Sequence, residues 1–311
     1  MKHKRQDDFM GLSSRLVGMP FKELVKEVTW RETMNYAASI EDNNSRYFDD
    51  EREGGVTAPP MFAVAVTFPV IERIWDFVDG NDFPLEIMPT MVHHTEHIQF
   101  FRPIRPDEIM TVKGRIAAIL PHRAGTRVVI RFDVTDKVGK EVFCEHIGAM
   151  MRGIECDDRG GGQEALPNAP SLDRDDGRIW ESRIKIDALR PFIYDGCSRI
   201  FFPIHTSRSF ARQVGLPDII LQGTATLAYA ARDITNREAD SDPARLKAIS
   251  CRFSGMVMPG TEITVRLHER KITEQGTNLY FSVLNGDGRI AISNGYALIG
   301  RELNPAWTAC A

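Results

Sequence analysis

One histidine and one glycine in the C-terminal half of the chain have types and positions suited to acid–base chemistry. His205 lies in the segment Pro203–Thr206, and Gly223 lies near the start of a long apolar stretch. An imidazole with an ordinary pKa near 6.5 accepts and returns protons at neutral pH. The first N–H groups of a helix lack partners within it, so an amide at Gly223 suits an anionic oxygen. The two residues predict proton transfer beside a stabilised oxyanion.

The helices that would position these residues are predicted twice. Ala-rich apolar stretches at Pro60–Val78 and Leu221–Ile234 are typical of helices buried on most sides. Shorter helices are expected at about residues 30–40 and 188–196. The first begins with a capping-box pattern at Thr29 and Glu32, and the second has Asp187 as its N-cap.

Strands are predicted after each long helix, because the apolar period changes from helical spacing to two. These patterns fall at 109–113, 126–134 and 142–146 in the first half, and at 263–267, 279–284 and 290–292 in the second. Gly139 and the run Asn285–Gly288 give turn signals between them. A buried helix covering one face of an antiparallel sheet, present twice, is an α+β arrangement.

The two sets of elements are related by an internal repeat. At one constant offset, a first group of residues corresponds to a second: Thr29, Tyr36, Asp42 and Tyr47 to Asp187, Tyr194, Ile200 and His205. Phe100 corresponds to Phe253 at a slightly shorter offset. The repeat predicts two copies of one fold packed as a pseudo-dimer. The expected division is an N-terminal tail (1–19), an N-terminal domain (20–155), a linker (156–178) and a C-terminal domain (179–311).

Composition excludes several classes of protein. The 311 residues are 42% hydrophobic and 26% charged, with a net charge of −4, which is typical of a globular protein and not of a disordered one. The chain has no block of Lys and Arg residues that would favour nucleic-acid binding. It has no apolar run that reaches the roughly 18 residues of a membrane helix. The N-terminus lacks a signal-peptide pattern, so a cytoplasmic location is expected. The five cysteines, Cys144, Cys156, Cys197, Cys251 and Cys310, include no CxxC pair and are expected to be reduced thiols.

The second half resembles the MaoC-like (R)-specific enoyl-CoA hydratase/dehydratase family. The resemblance rests on Tyr194 followed by Pro203–Thr206, Phe210-Ala211 and Gly215–Gly223. The first half resembles the N-terminal partner domain of that family, with Asp42, Asn44 and Tyr47 followed by Gly55–Pro60. The resemblance covers nearly the whole chain and implies a double hot dog fold.

The family signature is approximately Gly-Asp-x-Asn-Pro-x-His. Its Asp and His hold one water, and the glycine that opens the central helix polarises the thioester carbonyl. Aligned on His205, the signature Asp falls on Ile200 and the signature Asn on Phe202. In the first half, Asp42 and Asn44 are present and Tyr47 replaces the histidine.

Three interpretations of the missing acid are open. His205 could recruit another partner, from Asp195, Cys197 or Ser198 or from Asp42 across the pseudo-dimer. It could act alone. The hydratase chemistry could also have been lost.

A metal or nucleotide site is not expected. The spacing of His93, His94 and His97 resembles a ligand set, but the stretch is strand-like and no carboxylate or cysteine completes the set. The chain has no glycine-rich nucleotide motif and no Gly-x-Ser-x-Gly. Any chemistry is therefore expected to need no cofactor.

The resulting hypothesis is reversible hydration of a 2-enoyl-CoA, or dehydration of a 3-hydroxyacyl-CoA, at one site per chain. The resemblance implies His205 and Gly223 as catalytic residues. The substrate-binding residues are expected to be Tyr194, Ser198, Gln222, Asp42 and Asn44. The expected partner is an acyl-CoA or acyl-carrier-protein thioester, and further association into a homo-oligomer is left open. A thioesterase, a non-catalytic acyl-thioester-binding module, and an enzyme for bulky acyl groups are the alternatives.

Overall fold

The computed structural model describes residues 12–78, 84, 87–88, 91–172 and 177–301. Most of the predicted N-terminal tail, part of the predicted linker, and Cys310 lie outside these residues. The four described cysteines form no disulfide. None of the helices in the described ranges combines the length and apolar character needed to span a bilayer.

The first half contains five strands and four helices. In chain order they are β1 (Leu24–Val28), α1 (Trp30–Ser39), α2 (Ser45–Phe48), α3 (Phe62–Glu72), α4 (Ile74–Phe77), β2 (Met91–Phe100), β3 (Glu108–His122), β4 (Gly125–Asp136) and β5 (Glu141–Arg152).

The second half repeats this plan. Its elements are β6 (Trp180–Lys185), α5 (Arg190–Ser198), α6 (Arg208–Gln213), α7 (Gly223–Glu238), β7 (Leu246–Phe253), β8 (Glu262–Thr273), β9 (Gly276–Leu284) and β10 (Ile290–Gly300). The six strands predicted from the period of two all lie within observed strands, whereas β1, β6 and β7 were not predicted.

All ten strands form one sheet in the order β1-β3-β4-β5-β2-β7-β10-β9-β8-β6. The order is symmetric about the central β2–β7 pair, and each neighbouring pair is antiparallel. α1 packs on α5 at this centre, where the hydroxyls of the equivalent residues Tyr36 and Tyr194 lie 3.1 Å apart. The repeat is therefore visible in the fold as an approximate two-fold axis.

Helix termini show where local patterns succeeded and failed. The capping box of Thr29 and Glu32 is confirmed at the start of α1. The expectation for Asp187 was wrong: its Oδ1 accepts from the Leu189 N–H at 2.8 Å in a turn, Leu189 is the N-cap, and α5 begins at Arg190. The single helix expected over Pro60–Val78 is two helices, because the backbone of Arg73 is not helical (φ −124°, ψ 45°) and separates α3, which ends at Glu72, from α4, which begins at Ile74.

Most of the described core is one apolar cluster that includes residues of both halves, and two small clusters lie apart from it. α3 and α7 supply much of the core: eight residues of α3 and eleven of α7 are buried. Burial on nearly every side explains why α3 is apolar along most of its length, whereas α7 carries charged residues such as Arg232 and Arg237 in its second half. The packing of α7 in this core sets the position of both of its ends.

Candidate active site

The N-terminal end of α7 is open. The helix begins at Gly223, and its N-cap Gln222 makes no side-chain capping bond. The Gln222 amide instead donates to the Pro191 carbonyl at 3.0 Å, so it holds α5 rather than the helix end. The first backbone N–H groups of a helix have no intrahelical acceptor, and this end attracts negative charge. No side chain of the N-cap therefore occupies the first N–H groups of α7, where the oxyanion donor is predicted.

Gly223 is closely covered on one side. A Cβ atom on this residue would lie 3.1 Å from the ring of Phe253, the last residue of β7. Only a residue without a side chain gives this approach without displacing the ring. The glycine therefore serves packing here, as well as the predicted approach of a ligand to the backbone.

His205 lies beside the segment that leads into α7. Its Nδ1 is 2.8 Å from the carbonyl oxygen of Ile220. Because a carbonyl oxygen only accepts hydrogen bonds, Nδ1 carries the proton and Nε2 presents a lone pair. Burial lowers the pKa of His205 to about 4. The ring is neutral at pH 7 and has the form of a general base.

The position of the signature acid is apolar in the structure. Ile200 is 3% exposed and belongs to the core, and the ring of Phe202 packs edge-on against Phe210. No described residue is hydrogen-bonded to Nε2 of His205.

Three residues of α5 were predicted as possible partners of His205, and their surroundings are as follows. The Ser198 hydroxyl donates to the Tyr194 carbonyl at 2.6 Å and accepts from the Ile200 N–H at 3.2 Å. Burial raises the pKa of the Cys197 thiol. Burial, and then the charge of Glu72, raise the pKa of Asp195, whose Oδ2 is buried without a hydrogen bond.

Tyr194 was expected to shape the pocket, and the structure places it behind the helix end. It is fully buried, and its hydroxyl donates to Oγ1 of Thr224, the second residue of α7, at 3.2 Å. It also contacts the Tyr36 hydroxyl. Tyr194 therefore supports the first turn of α7 from the pseudo-two-fold axis.

Asp42 and Asn44 lie at the opposite end of α7. Oδ1 of Asp42 accepts from the Asn44 N–H at 3.2 Å and from the Asn236 amide at 3.3 Å. Nδ2 of Asn44 donates to the Ser241 carbonyl at 2.8 Å. Asn236 lies in the last turn of this 16-residue helix, which is ~24 Å long at 1.5 Å per residue. Asp42 therefore cannot serve as the acid partner of His205 across the pseudo-dimer.

Two cavities adjoin this opposite end. The larger has a volume of about 160 Å³ and is lined in part by Arg46, Arg52 and Arg105. The smaller, about 10 Å³, lies against Pro60 and Phe100. Neither of these two cavities is lined by His205 or Gly223.

Sequence reasoning missed a buried polar cluster at the α7 start. Glu96 on β2 and Glu145 on β5 are 1% and 0% exposed. Burial raises both pKa values well above normal, and mutual repulsion adds to that of Glu145. His93 was predicted only as a member of a possible metal-ligand set. Its Nε2 lies 3.1 Å from Oε2 of Glu96. The sequence signal that could have revealed this cluster was Glu96, an acidic residue within a strand that has neighbours on both sides.

The three histidines of β2 do not converge. The His93 ring lies against Phe253 with centroids 4.5 Å apart, whereas His94 faces His122 and His97 faces His146. Strand pairing is irregular between His93 and Thr95, which changes the alternation of faces there. Among the described residues, no group of His, Cys, Asp and Glu is arranged to hold a metal ion.

Comparison with family models matches both halves. Residues 182–283 match the MaoC like domain, and residues 15–145 match the FAS1-like, dehydratase domain region.

Named relatives include hydratases. The chain is 24% identical over 294 residues to a probable enoyl-CoA hydratase 2 of Dictyostelium discoideum, covering 92% of this chain and 95% of the relative. It is 24% identical over 282 residues to the peroxisomal multifunctional enzyme type 2 of Drosophila melanogaster, covering 87% of this chain and 45% of that one. The chain thus spans nearly all of the first relative and about half of the second.

Solved structures share the fold. A MaoC-like dehydratase from Phytophthora capsici superposes with a TM-score of 0.80 at 20% identity, covering 92% of this chain and 98% of that one. A Mycobacterium tuberculosis protein described as having a double hot dog fold gives a TM-score of 0.58 at 10% identity, covering 90% and 95%. The ten-stranded sheet with its two buried helices is therefore the predicted α+β double hot dog.

Proposed function

The chain belongs to the MaoC-like dehydratase family, and from this premise we propose that it hydrates a 2-enoyl-CoA reversibly at the start of α7. His205 is the general base of hydration and the general acid of the reverse reaction. The N–H of Gly223 binds the thioester oxygen as negative charge develops on it. The proposal needs no cofactor.

The observation that carries the proposal is the state of the His205 ring. Its Nδ1 proton is held by the Ile220 carbonyl, and burial keeps the ring neutral. The Nε2 lone pair is therefore ready to take a proton from water as the water oxygen bonds to C3. The C2=C3 electron pair moves towards the carbonyl, and the enolate oxygen is stabilised by the uncapped helix end. Protonation at C2 completes the addition.

The roles of the other predicted residues follow from their contacts. Gln222 and Tyr194 are positioning residues in this proposal, since their polar groups are bonded to Pro191 and Thr224. Ser198 fixes the backbone on the approach to Ile200. Asp42 and Asn44, at the far end of α7, hold the two halves together and do not touch the reacting acyl group.

A non-catalytic binding module is the second candidate, because Ile200 and Phe202 leave His205 without the signature acid. Binding of an acyl thioester would still use the helix end. This alternative predicts tight acyl-CoA binding without turnover.

The test compares equivalent residues at the two ends. Wild type, His205→Asn and Tyr47→Phe are assayed with a series of 2-enoyl-CoA substrates, following loss of enoyl absorbance and release of free thiol. We expect hydration by wild type without thiol release, a loss of about 10²- to 10⁴-fold in His205→Asn, and an unchanged rate in Tyr47→Phe. Tyr47 is a suitable control because its buried hydroxyl has no hydrogen-bond partner among the described residues.

Each of the other possible results would support a different function or refute the proposed base. Thiol release by wild type would assign a thioesterase, and binding without turnover across the series would assign the binding module. A His205→Asn variant with the wild-type rate and melting temperature would refute the proposed base.

A further inference from the structure

The central strand pair is polar at one end and apolar at the other. By the internal repeat, Phe100 and Phe253 are equivalent, so His93 corresponds to Leu246 and Glu96 to Ile249. The register of the pair places Glu96 opposite Cys251. At these two pairs of equivalent positions, the side chains are polar at the end where α7 begins and aliphatic near the start of α3.

A chain of contacts joins this polar end to the predicted oxyanion site. The Phe253 ring covers Gly223, and the His93 ring lies against the Phe253 ring at 4.5 Å. Glu96 follows, with its Oε2 3.1 Å from Nε2 of His93. The His93 side chain is 27% exposed and that of Glu96 is 0% exposed. The His93 ring is therefore partly exposed, whereas its Nε2 and the carboxyl group of Glu96 are buried.

The pair is neutral at pH 7 and holds a transferable proton. Burial lowers the pKa of His93 to about 4 and raises that of Glu96 well above normal. The carboxyl group of Glu96 is therefore protonated beside an unprotonated ring nitrogen.

The other titratable groups around Glu96 are also protonated. Glu145, Cys251, Tyr36 and Tyr194 each have a pKa raised first by burial, and the nearby Glu96 raises each of them further. No described positive charge is paired with Glu96. Burial raises its pKa by more than the hydrogen bonds from the Glu145 side chain and the His97 backbone lower it.

We propose that His93, oriented by Glu96, exchanges the C2 proton in the reaction proposed above, in place of the acid that Ile200 removes. The inference rests on that proposed function. His93 is the catalytic residue, and Glu96 is a positioning residue that restores the proton His93 gives up.

The proton balance of one hydration is complete. One water proton goes to His205 as the C3–O bond forms and the C2=C3 π bond breaks. His93 gives its Nδ1 proton to C2, forming the C2–H bond, as its Nε2 takes the proton of Glu96. Solvent then reprotonates Nδ1, the Nε2 proton returns to Glu96, and His205 releases to solvent the proton that it took. The net reaction is the addition of one water.

The first experiment compares His93→Gln with His97→Gln. Both histidines lie on β2 with pKa values lowered to about 4 by burial, but His97 faces His146 rather than Phe253. We expect His93→Gln to lower kcat by at least about 10²-fold with little change in KM or in the Kd of butyryl-CoA. His97→Gln should match wild type. A proportional rise of KM and Kd with kcat unchanged would overturn the inference, because it would show a packing role only.

The second experiment uses the pH profile of Glu96→Gln. Hydration needs the protonated pair, so wild-type kcat falls as pH rises through the raised pKa of Glu96. The variant amide keeps an N–H donor beside Nε2 of His93, so we expect a smaller loss of kcat together with disappearance of this basic limb. A basic limb unchanged in Glu96→Gln would refute the role of Glu96.

Failure of this inference differs from failure of the proposed function. If wild type hydrates enoyl-CoA, His205→Asn is inactive and His93→Gln is fully active, the inference alone is wrong. If wild type hydrates no member of the substrate series, both are wrong.

Discussion

The two ends of the central helix pair are built from equivalent elements and differ in chemistry. α7 begins at a glycine with an uncapped end, beside the neutral ring of His205. α3 is preceded by Pro59 and Pro60, whose carbonyls accept from the first N–H groups of that helix. A proline has no N–H to offer an oxyanion. The start of α3 is therefore closed as a donor site, whereas that of α7 is open.

The polar residues at the closed end are engaged in structure. Asp42 and Asn44 bond to Asn236 and Ser241, and Tyr47 stands where the equivalent residue of the other half is His205. Signature residues are thus present at both ends, but only one end has an unengaged base beside a free helix terminus. Residue identity therefore relates both ends to the family, whereas the hydrogen-bond state distinguishes the end at which we propose the reaction.

The largest expected effect comes from making the open end like the closed one. Gly223→Pro removes the N–H at the first helical position, where proline is tolerated by the backbone. We expect kcat for hydration to fall by about 10²- to 10³-fold, the effect of losing one oxyanion donor. Steady-state kinetics with an enoyl-CoA measure it.

Gly223→Ala is the control for this change, because it keeps the N–H and adds only a Cβ against the Phe253 ring. The ring is a side chain and can shift, so we expect a much smaller loss of kcat. Equal losses in the two variants would show that crowding, rather than the lost donor, explains the effect.

A second prediction concerns the acid limb of the hydration rate. His205 acts as a base only when neutral, and burial lowers its pKa to about 4. We expect kcat/KM to stay level from about pH 8 down to about pH 5 and to fall below that as the ring is protonated. The pH profile of wild type measures this, with Tyr47→Phe as the matched variant at the closed end. An acid limb near the ordinary histidine pKa of about 6.5 would contradict the buried environment described for His205.

The smallest effect is expected at the closed end. Asp42→Ala removes the acceptor of the Asn44 N–H and the Asn236 amide, so we expect the free energy of unfolding to drop by about 1 to 3 kcal/mol. The hydration rate at saturating substrate should not change. Urea denaturation and kinetics measure the two quantities. Asp42→Asn keeps one acceptor oxygen and should be less destabilised; a loss of kcat in either variant would place Asp42 in the reaction.

Local patterns predicted much of the fold and the centre of the site. The capping box of α1, the two apolar helices and six strands follow from periods and end signals within single segments. His205 and Gly223 follow from a motif in one stretch of chain. Each of these depends on contacts close in sequence.

The features that were missed depend on contacts distant in sequence. β7 is a strand because β2 and β10 pair with it on both sides. Glu96 is buried beside His93 because β2 is irregular at Thr95 and central in the sheet. The separation of Asp42 from His205 follows from the antiparallel placement of the two halves, which the signature alone does not encode.

Joining the two copies in one chain has an evolutionary consequence. In a dimer of identical subunits, a substitution appears at both symmetry-related positions, so a proline that closes one helix end closes the other as well. Here the halves share a continuous sheet and meet at Tyr36 and Tyr194, yet each position mutates alone. Fusion therefore allows the α3 end to hold the lobes together while the α7 end keeps an N-cap without a side-chain capping bond.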